Sequence, residues 1–366
     1  MRKASEIRVY SGNRAILDNS AVFAELGERM LIVTSRTAGE TSGALADVRT
    51  ALDDVGILYS VCDSVRPNPD LDDCLYVARR AKEFGADALI GIGGGSPLDV
   101  IKIASILVKN DLTLEQLTDP ALERPGIPLV AIPTTAGSGS EITRYAVILD
   151  HGNRSKKTII SDVFYPRVVF LDERYTERLP IDITRYTALD ALSHLIEGYI
   201  NKKATEESDA AAIEGLEAFG KVRAALTAGK FGPDDRARLL IAAHLGGKVI
   251  DITRSNVPHV MGYQLTYKYR IPHGRACALF LAEFLRFNAP SENKKIERLL
   301  AALDIAGIDE LEGFISSLIG DCVSIDDREI HEMIPVIASR SKITNSPRDV
   351  SATDLFIIAK NSVGKR

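Results

Sequence analysis

The sequence predicts an α/β nucleotide-binding domain with a doubly wound, mostly parallel sheet, followed by an all-α second domain. Three observations carry this expectation. Continuous apolar runs of strand length recur through the first half of the chain, and amphipathic segments separate them. After about residue 178 the strand signals largely vanish.

The runs are "RMLIVT" at 29–34, "ILYSVC" at 57–62, "ALIGIG" at 88–93, "PLVAIP" at 128–133 and "RVVFLD" at 167–172. A strand covered on one face alternates apolar and polar residues. An unbroken apolar run of this length indicates burial on both faces, as in a parallel sheet between helices. The segment 71–85, "LDDCLYVARRAKEFG", has helical periodicity and a helix-stopping Gly85. Beyond the boundary, "RLPIDITRYTALDALSHLIEGYI", "DAAAIEGLEAFGKVRAAL", "DDRARLLIAAHLGGKVID" and "IERLLAALDIAG" all read as helices. The expected domains are therefore 1–178 and 179–366.

Composition narrows the function classes. The chain has 366 residues, a formal net charge of −5, 45% hydrophobic and 26% charged residues. A mildly acidic chain without basic blocks does not suit phosphate-driven nucleic-acid binding. No apolar run reaches the ~20 residues that span a bilayer, and the N-terminus lacks the apolar core of a signal peptide. The four cysteines (Cys62, Cys74, Cys277, Cys322) form no CxxC pair, so a reduced, cytoplasmic protein with free thiols is expected.

Two loops carry phosphate-type chemistry. "ALIGIGGGSPLDVIKIASILV" runs from a buried strand through Gly91, Gly93, Gly94, Gly95 and Ser96 into a helix with Pro97 in its first turn. Bare backbone beside a helix N-terminus can cradle a diphosphate, and the same glycines can equally serve a tight turn with no ligand. A Rossmann fingerprint normally follows the first strand; here the run at 29–34, read as the first, passes into "TSRTAGETSG" instead. Asp99 and Lys102 read as a surface pair, as a brace for the loop, or as cofactor-facing groups. The second loop, "AIPTTAGSGSEITRYAVILD", places Thr134, Thr135, Ser138 and Ser140 directly after a strand.

The helical half holds a candidate metal constellation. Asp190 and His194 in "LDALSHLIEGY" are four apart, so a helix presents both on one face. His259 and His273 follow in "NVPHVMGYQLTYKYRIPHGR", the latter between Pro272 and Gly274. One carboxylate and three imidazoles suit Fe2+ or Zn2+ with room for a substrate oxygen. Each histidine alone also reads as a hydrogen-bonded core residue, as His244 does, and His151 and His331 lie in polar contexts. Glu197, three residues after His194, is a candidate to support the ligands.

In these motifs the sequence resembles the iron-containing, or group III, alcohol dehydrogenases. The likeness runs nearly end to end, through "PNP" at 67–69, "GGGSPLDVIK" at 93–102, "IPTTAGSGSEIT" at 132–143, "YPRVVFLD" at 165–172, "DALSHLIEGY" at 190–199, the "PHV…IPHG" segment and "ITNSPRDVSATDL" near the C-terminus. The resemblance implies an architecture shared with dehydroquinate synthases, with the active site in the cleft between the domains. It implies Asp190, His194, His259 and His273 as metal ligands, Fe2+ being expected and Zn2+ the alternative. It also implies Gly94, Gly95 and Ser96 at the diphosphate, with Asn68, Thr134, Thr135, Ser138 and Lys157 lining the dinucleotide site and Asp99 close by. The implied reaction is reversible hydride transfer between NAD(P)(H) and a small-molecule alcohol or aldehyde, by a homodimer or larger homo-oligomer.

Two departures from the family pattern shape further expectations. Many relatives have "VTD" where this chain has "VTSR", with Ser35 and Arg36. Loss of that carboxylate and gain of a guanidinium favour a ribose 2′-phosphate, so NADP(H) is expected over NAD(H). Four residues after His259, relatives carry a histidine proposed as a proton relay, and this chain has Tyr263. Tyr263, Tyr267, Lys268 and Arg270 suggest an anionic aldehyde, such as a phosphonate or sugar-acid derivative, although Lys268 and Arg270 read first as a solvated loop. Other readings within the architecture are a polyol or glycerol-phosphate dehydrogenase and a dehydroquinate-synthase-like cyclase. A catalytically silent nucleotide-binding protein is the remaining class, and four intact candidate ligands argue against it.

Overall fold

A computed structural model describes residues 4–118, 126–152, 155–321 and 323–364. The chain forms two compact units, Met1–Thr135 with Gly139–Leu179, and Ala136–Ser138 with Pro180–Arg366.

The first unit is built on a six-stranded parallel sheet. Its strands are β1 (Arg8–Ser11), β2 (Arg29–Thr34), β3 (Leu58–Cys62), β4 (Ala88–Gly93), β5 (Leu129–Pro133) and β8 (Val168–Leu171), in the order β1-β8-β5-β4-β2-β3. Alternation along each strand feeds two cores. Leu31, Val33 and Leu89 pack with Cys74, Val77 and Ala78 on one face. Met30, Ile32, Ile90 and Ile92 pack with Val48 and Leu52 on the other. At about 1.5–3 kcal/mol per fully buried aliphatic side chain, this two-sided burial is what holds the sheet together. The helix Leu71–Phe84 is opened by a reciprocal Asp70–Asp73 capping box and closed at Gly85, whose φ of 71° is left-handed.

The structure adds three strands to those runs. β1 is a short, largely exposed edge strand, and because it comes first, the strand at 29–34 is the second in the chain rather than the first. β6 (Tyr145–Asp150) and β7 (Ser155–Ile160) form a separate antiparallel pair. Polar residues occupy the first four positions of β7, whereas β6 is apolar from Tyr145 to Leu149 and is absent from the runs above because a polar loop leads straight into it. In the sheet order, β2 leads through a crossover to β3 on one side, while β4 leads to β5 on the other. The carboxyl ends of β2 and β4 therefore flank a topological switch point, where open α/β sheets bind ligands.

Among its described residues, the regular structure of the second unit is helical apart from a bridge between Ile325 and Gly364. At its centre lies the helix Ile181–Tyr199, buried continuously from Ala188 onward. Glycines let neighbouring helices approach it closely. A Cβ on Gly215, in the helix Glu206–Gly220, would lie 2.5 Å from Leu195 Cδ2. A Cβ on Gly274 would strike the Tyr186 carbonyl and come within 2.8 Å of Asp190 Cβ. Among the described residues, no helix is long and apolar enough to cross a membrane.

Candidate metal centre and nucleotide loops

Three helices converge in the second unit, each presenting two groups four residues apart. Ile181–Tyr199 presents Asp190 and His194, Val257–Tyr269 presents His259 and Tyr263, and the short helix His273–Ala278 presents His273 and Cys277. Asn256 caps the second helix, accepting from Val257 N at 2.9 Å, and Pro258 suits its first turn. Gly274 lets His273 settle directly over Asp190. A side chain at position 274 would push the third helix away from the first.

All three imidazole Nε2 atoms face one oxygen. Asp190 Oδ1 lies 4.0 Å from His194 Nε2, 3.6 Å from His259 Nε2 and 3.8 Å from His273 Nε2. Asp190 Oδ1 and His259 Nε2 are fully buried, and neither has a hydrogen-bond partner. Buried polar atoms are almost always satisfied, so two orphans aimed at one point call for a missing partner. Four donors at tetrahedral bond lengths of about 2.1 Å from a divalent ion lie about 3.4 Å apart. The observed spacing is close to that value, and the mixed carboxylate–imidazole set suits iron or zinc. The four residues singled out from the sequence therefore come together in a cluster that could hold a metal.

The electrostatics belong to a tightly coupled cluster. Burial drives the His194 pKa down to about 4, against the pull of Asp190. Burial also opposes charge on His259, but Glu197 and Asp190 outweigh it and lift its pKa to about 9. Asp190 is held below the usual carboxylate range, because the surrounding imidazoles overcome the effect of burial. Glu197 is completely buried behind His259. Its Oε1 lies 2.5 Å from His259 Nδ1, and its Oε2 accepts from the backbone N–H groups of Asn256 at 2.7 Å and His259 at 3.3 Å. Glu197 thus fixes which His259 nitrogen faces the cluster.

Sequence reasoning did not single out Cys277. It is fully buried, and it offers its Sγ within 4.8 Å of the donors of Asp190, His259 and His273. The only sequence signal is its i+4 spacing from His273. Cys62, Cys74 and Cys277 are free thiols, and Cys322 lies outside the described residues. Of the other histidines, His151 lies 3.4 Å from Asp70, His331 bonds the Asp327 carbonyl, and His244 lies half-buried in the helix Pro233–Thr253.

Tyr263 stacks on His273, with ring centroids 5.3 Å apart and planes 15° from parallel. Its hydroxyl accepts from Lys342 Nζ at 3.4 Å. Lys268 instead faces Glu329 at 3.3 Å and Glu332 at 3.9 Å, and Arg270 is exposed at the end of its helix. Both cations are exposed, as the solvated-loop reading expects.

In the first unit, the loop residues gather at strand ends around the switch point. Gly94, Gly95 and Ser96 follow β4, Thr134 and Thr135 follow β5 next to it, and Ser35 and Arg36 follow β2 on its other side. Thr134 N bonds the Gly93 carbonyl at 2.9 Å, and a Cβ on Gly94 would lie 3.0 Å from Thr135 Oγ1. Ser96 Oγ accepts from Asn68 N at 3.3 Å, drawing the "PNP" segment to the glycine loop, and Asn68 has a left-handed φ of 52°. Part of the glycine demand is simple packing. A Cβ on Gly93 would lie 2.6 Å from Pro97 Cγ, and one on Gly91 would lie 2.7 Å from Ile101 Cδ1. Lys157 lies on β7 opposite Ile148, outside the parallel sheet, and Ser138 belongs to the stretch that packs with the second unit.

The surface-pair reading of Asp99 and Lys102 is overturned, since Lys102 is only 1% exposed and Asp99 is buried beside it. Lys102 Nζ donates to Ser140 Oγ at 2.8 Å and to the Tyr145 carbonyl at 2.6 Å. Asp99 accepts from Ser140 Oγ at 2.5 Å and from Val147 N at 3.0 Å. With its carboxylate committed to these bonds, Asp99 braces the second loop and β6.

Comparison with known proteins agrees with this architecture. The chain is 30% identical to the sulfoacetaldehyde reductase of Bilophila wadsworthia, over 83% of this chain and 76% of that one. It is 31% identical to the lactaldehyde reductase of Escherichia coli, over 76% of this chain and 73% of that one. The crystal structure of an iron-containing alcohol dehydrogenase from Thermotoga maritima superposes with a TM-score of 0.91 at 29% identity, covering 98% of each chain. Residues 7–173 match the model for iron-containing alcohol dehydrogenases, and residues 184–318 match the C-terminal model of the same family. The chain therefore belongs to the iron-containing alcohol dehydrogenase family, oxidoreductases that act on CH–OH groups.

Proposed function

We propose that this protein reversibly reduces a small, negatively charged aldehyde to its alcohol with a nicotinamide cofactor, preferring NADPH, and that Asp190, His194, His259 and His273 hold its metal. One observation carries the reading: three imidazole nitrogens surround a buried, unpartnered carboxylate oxygen. The anionic substrate is supported by the relative named for sulfoacetaldehyde, a short aldehyde with a sulfonate end. The donor set suits either Fe2+ or Zn2+, and the family favours Fe2+.

A divalent ion held by these residues supplies a Lewis acid for the substrate oxygen. The chain's own groups supply position. Glu197 keeps His259 Nδ1 protonated and its Nε2 free to ligate, and Gly274 keeps His273 seated against Asp190. In the first unit, the backbone at Gly94–Ser96 lies at a helix N-terminus that suits a diphosphate. A nicotinamide held there would supply the hydride for the carbonyl carbon, with a proton added at the oxygen. The products are the alcohol and NADP+.

Tyr263 stands where relatives carry a histidine, and a phenol titrating near ~10 exchanges protons poorly at neutral pH. We assign that exchange to water and the ribose hydroxyls. Tyr263→Phe is expected to keep kcat within roughly tenfold of wild type, whereas loss of a true general acid costs about 10²–10⁴-fold. A well-folded Tyr263→Phe protein with no turnover would instead make Tyr263 the acid.

Cofactor preference rests on Ser35 and Arg36. Arg36 is exposed just beyond β2, and Ser35 Oγ accepts from Ala38 N at 3.3 Å without adding charge. Ser35→Asp would set a carboxylate against the 2′-phosphate, and like charges brought together cost several kcal/mol. The ratio of kcat/KM for NADPH over NADH is expected to fall roughly tenfold or more. Equal or better turnover of NADH by the wild type would remove the basis for the preference.

The central test is one matrix of assays: NADPH or NADH oxidation, with Fe2+ or Zn2+ added, against neutral and anionic aldehydes. No turnover in any combination, with metal bound, would reject the dehydrogenase reading.

A further inference from the structure

The cluster has a charged neighbour that the metal chemistry does not use. Lys342 is half-buried in the short turn Ser341–Asn345. Its Nζ hydrogen-bonds Tyr263 Oη at 3.4 Å and lies 5.2 Å from the centre of that ring. Because Tyr263 stacks directly on His273, the ammonium sits one aromatic ring away from a candidate metal ligand. The turn is firmly held. Asn345 Nδ2 donates to the Ser255 carbonyl at 2.8 Å, Ser346 Oγ bonds Asn288 at 3.0 Å, and both residues are buried.

Burial brings the Lys342 pKa down to about 8, against the pull of the Glu197 carboxylate and with a smaller lowering effect from the Arg254 charge. Among the described residues, neither Lys342 nor Arg254 forms an ion pair with a carboxylate. A half-buried cation without such a partner keeps its charge available to a ligand. The Arg254 backbone is also strained, with φ 63° and ψ 167°, a region open essentially to glycine alone. Its conformation is held by Asn201 Nδ2 and Thr253 Oγ1, which donate to its carbonyl at 3.2 and 3.1 Å. Neither cation is thus neutralised by a carboxylate in direct contact, although the buried Glu197 charge acts on Lys342 from a distance.

We infer that Lys342 receives the negatively charged end of the substrate, so that the aldehyde is short and carries its anionic group a few bonds beyond the carbonyl. This rests on the proposed dehydrogenase reading and replaces Lys268 and Arg270 as the basis for an anionic substrate. Sulfonate, phosphonate and carboxylate share the required chemistry, which is a compact oxyanion accepting charge-assisted hydrogen bonds.

The test uses the metal-loaded enzyme with saturating cofactor. Sulfoacetaldehyde, phosphonoacetaldehyde and succinate semialdehyde are compared with propanal, for wild type, Lys342→Met and Lys342→Arg. Wild type should favour at least one anionic aldehyde over propanal. In Lys342→Met that preference should fall roughly 10- to 100-fold, mainly through KM, and Lys342→Arg should recover most of it. Inhibition by 2-hydroxyethanesulfonate and 2-hydroxyethylphosphonate should weaken in parallel, and metal content should be unchanged. Which anionic aldehyde suffers most identifies the headgroup. Equal losses on propanal and the anionic aldehydes would place Lys342 in the chemical step and overturn the inference. A wild type that reduces propanal as well as any anionic aldehyde would also overturn it while leaving the dehydrogenase intact. Failure on every aldehyde would sink the dehydrogenase reading itself.

Discussion

Asp190→Asn is expected to abolish tight metal binding and to lower kcat/KM on the order of 10³-fold, which corresponds to about 4 kcal/mol of transition-state stabilisation. The amide has the shape of the carboxylate, so the helix Ile181–Tyr199 keeps its packing. What is lost is the one negative charge among three imidazole nitrogens 3.6 to 4.0 Å away. Thermal unfolding separates this effect from misfolding. A ion bound only by the native state stabilises it by mass action, so added Fe2+ should raise the wild-type Tm and leave that of the variant almost unmoved. Without metal, the two proteins should melt close together. Metal content by elemental analysis gives the direct readout. A variant that retains stoichiometric metal and near-normal turnover would remove Asp190 from the ligand set.

Much of this site was legible in the sequence because its chemistry follows helical spacing. Asp190 and His194 are four apart on a strongly periodic segment, and Glu197 continues the same face. The parallel strands were legible because burial on both faces leaves a run such as "RMLIVT" without polar interruption. β1 and β7 were not, since exposed or half-exposed strands carry polar residues, and the apolar run of β6 was obscured by the polar loop that leads into it. The approach of His259 and His273 to Asp190 could be expected but not located. It depends on Gly274, whose missing side chain matters only once Tyr186 lies against it. Lys342 was invisible for a different reason. It meets Tyr263 across 79 residues of chain, and a lysine in "SRSKITNS" reads as a surface residue. Lys268, the more conspicuous cation, is neutralised by Glu329 and Glu332, residues that the local sequence around it does not contain.

The second large effect is expected at a residue that touches no metal. Glu197→Gln keeps volume and polarity, yet the hydrogen-bond inventory around it cannot be satisfied. The carboxylate receives three donors: His259 Nδ1–H on one oxygen, and the backbone N–H groups of Asn256 and His259 on the other. An amide has only one acceptor oxygen, and its NH₂ group must face a donor in either orientation. If the NH₂ meets the backbone, two buried donors clash. If it meets the imidazole, His259 must move its proton to Nε2, the atom that faces Asp190, and can no longer ligate there. Both outcomes damage the cluster through His259. Loss of such a supporting partner typically costs about 10–100-fold in metal affinity or activity, and that is the range expected here. The loss should appear first as weakened metal binding, with kcat recovering partly at high Fe2+, which distinguishes positioning from chemistry. Glu197→Asp, which restores the charge but shortens the reach, should fall between wild type and the amide. Wild-type metal affinity in Glu197→Gln would show that His259 is oriented by something other than this carboxylate.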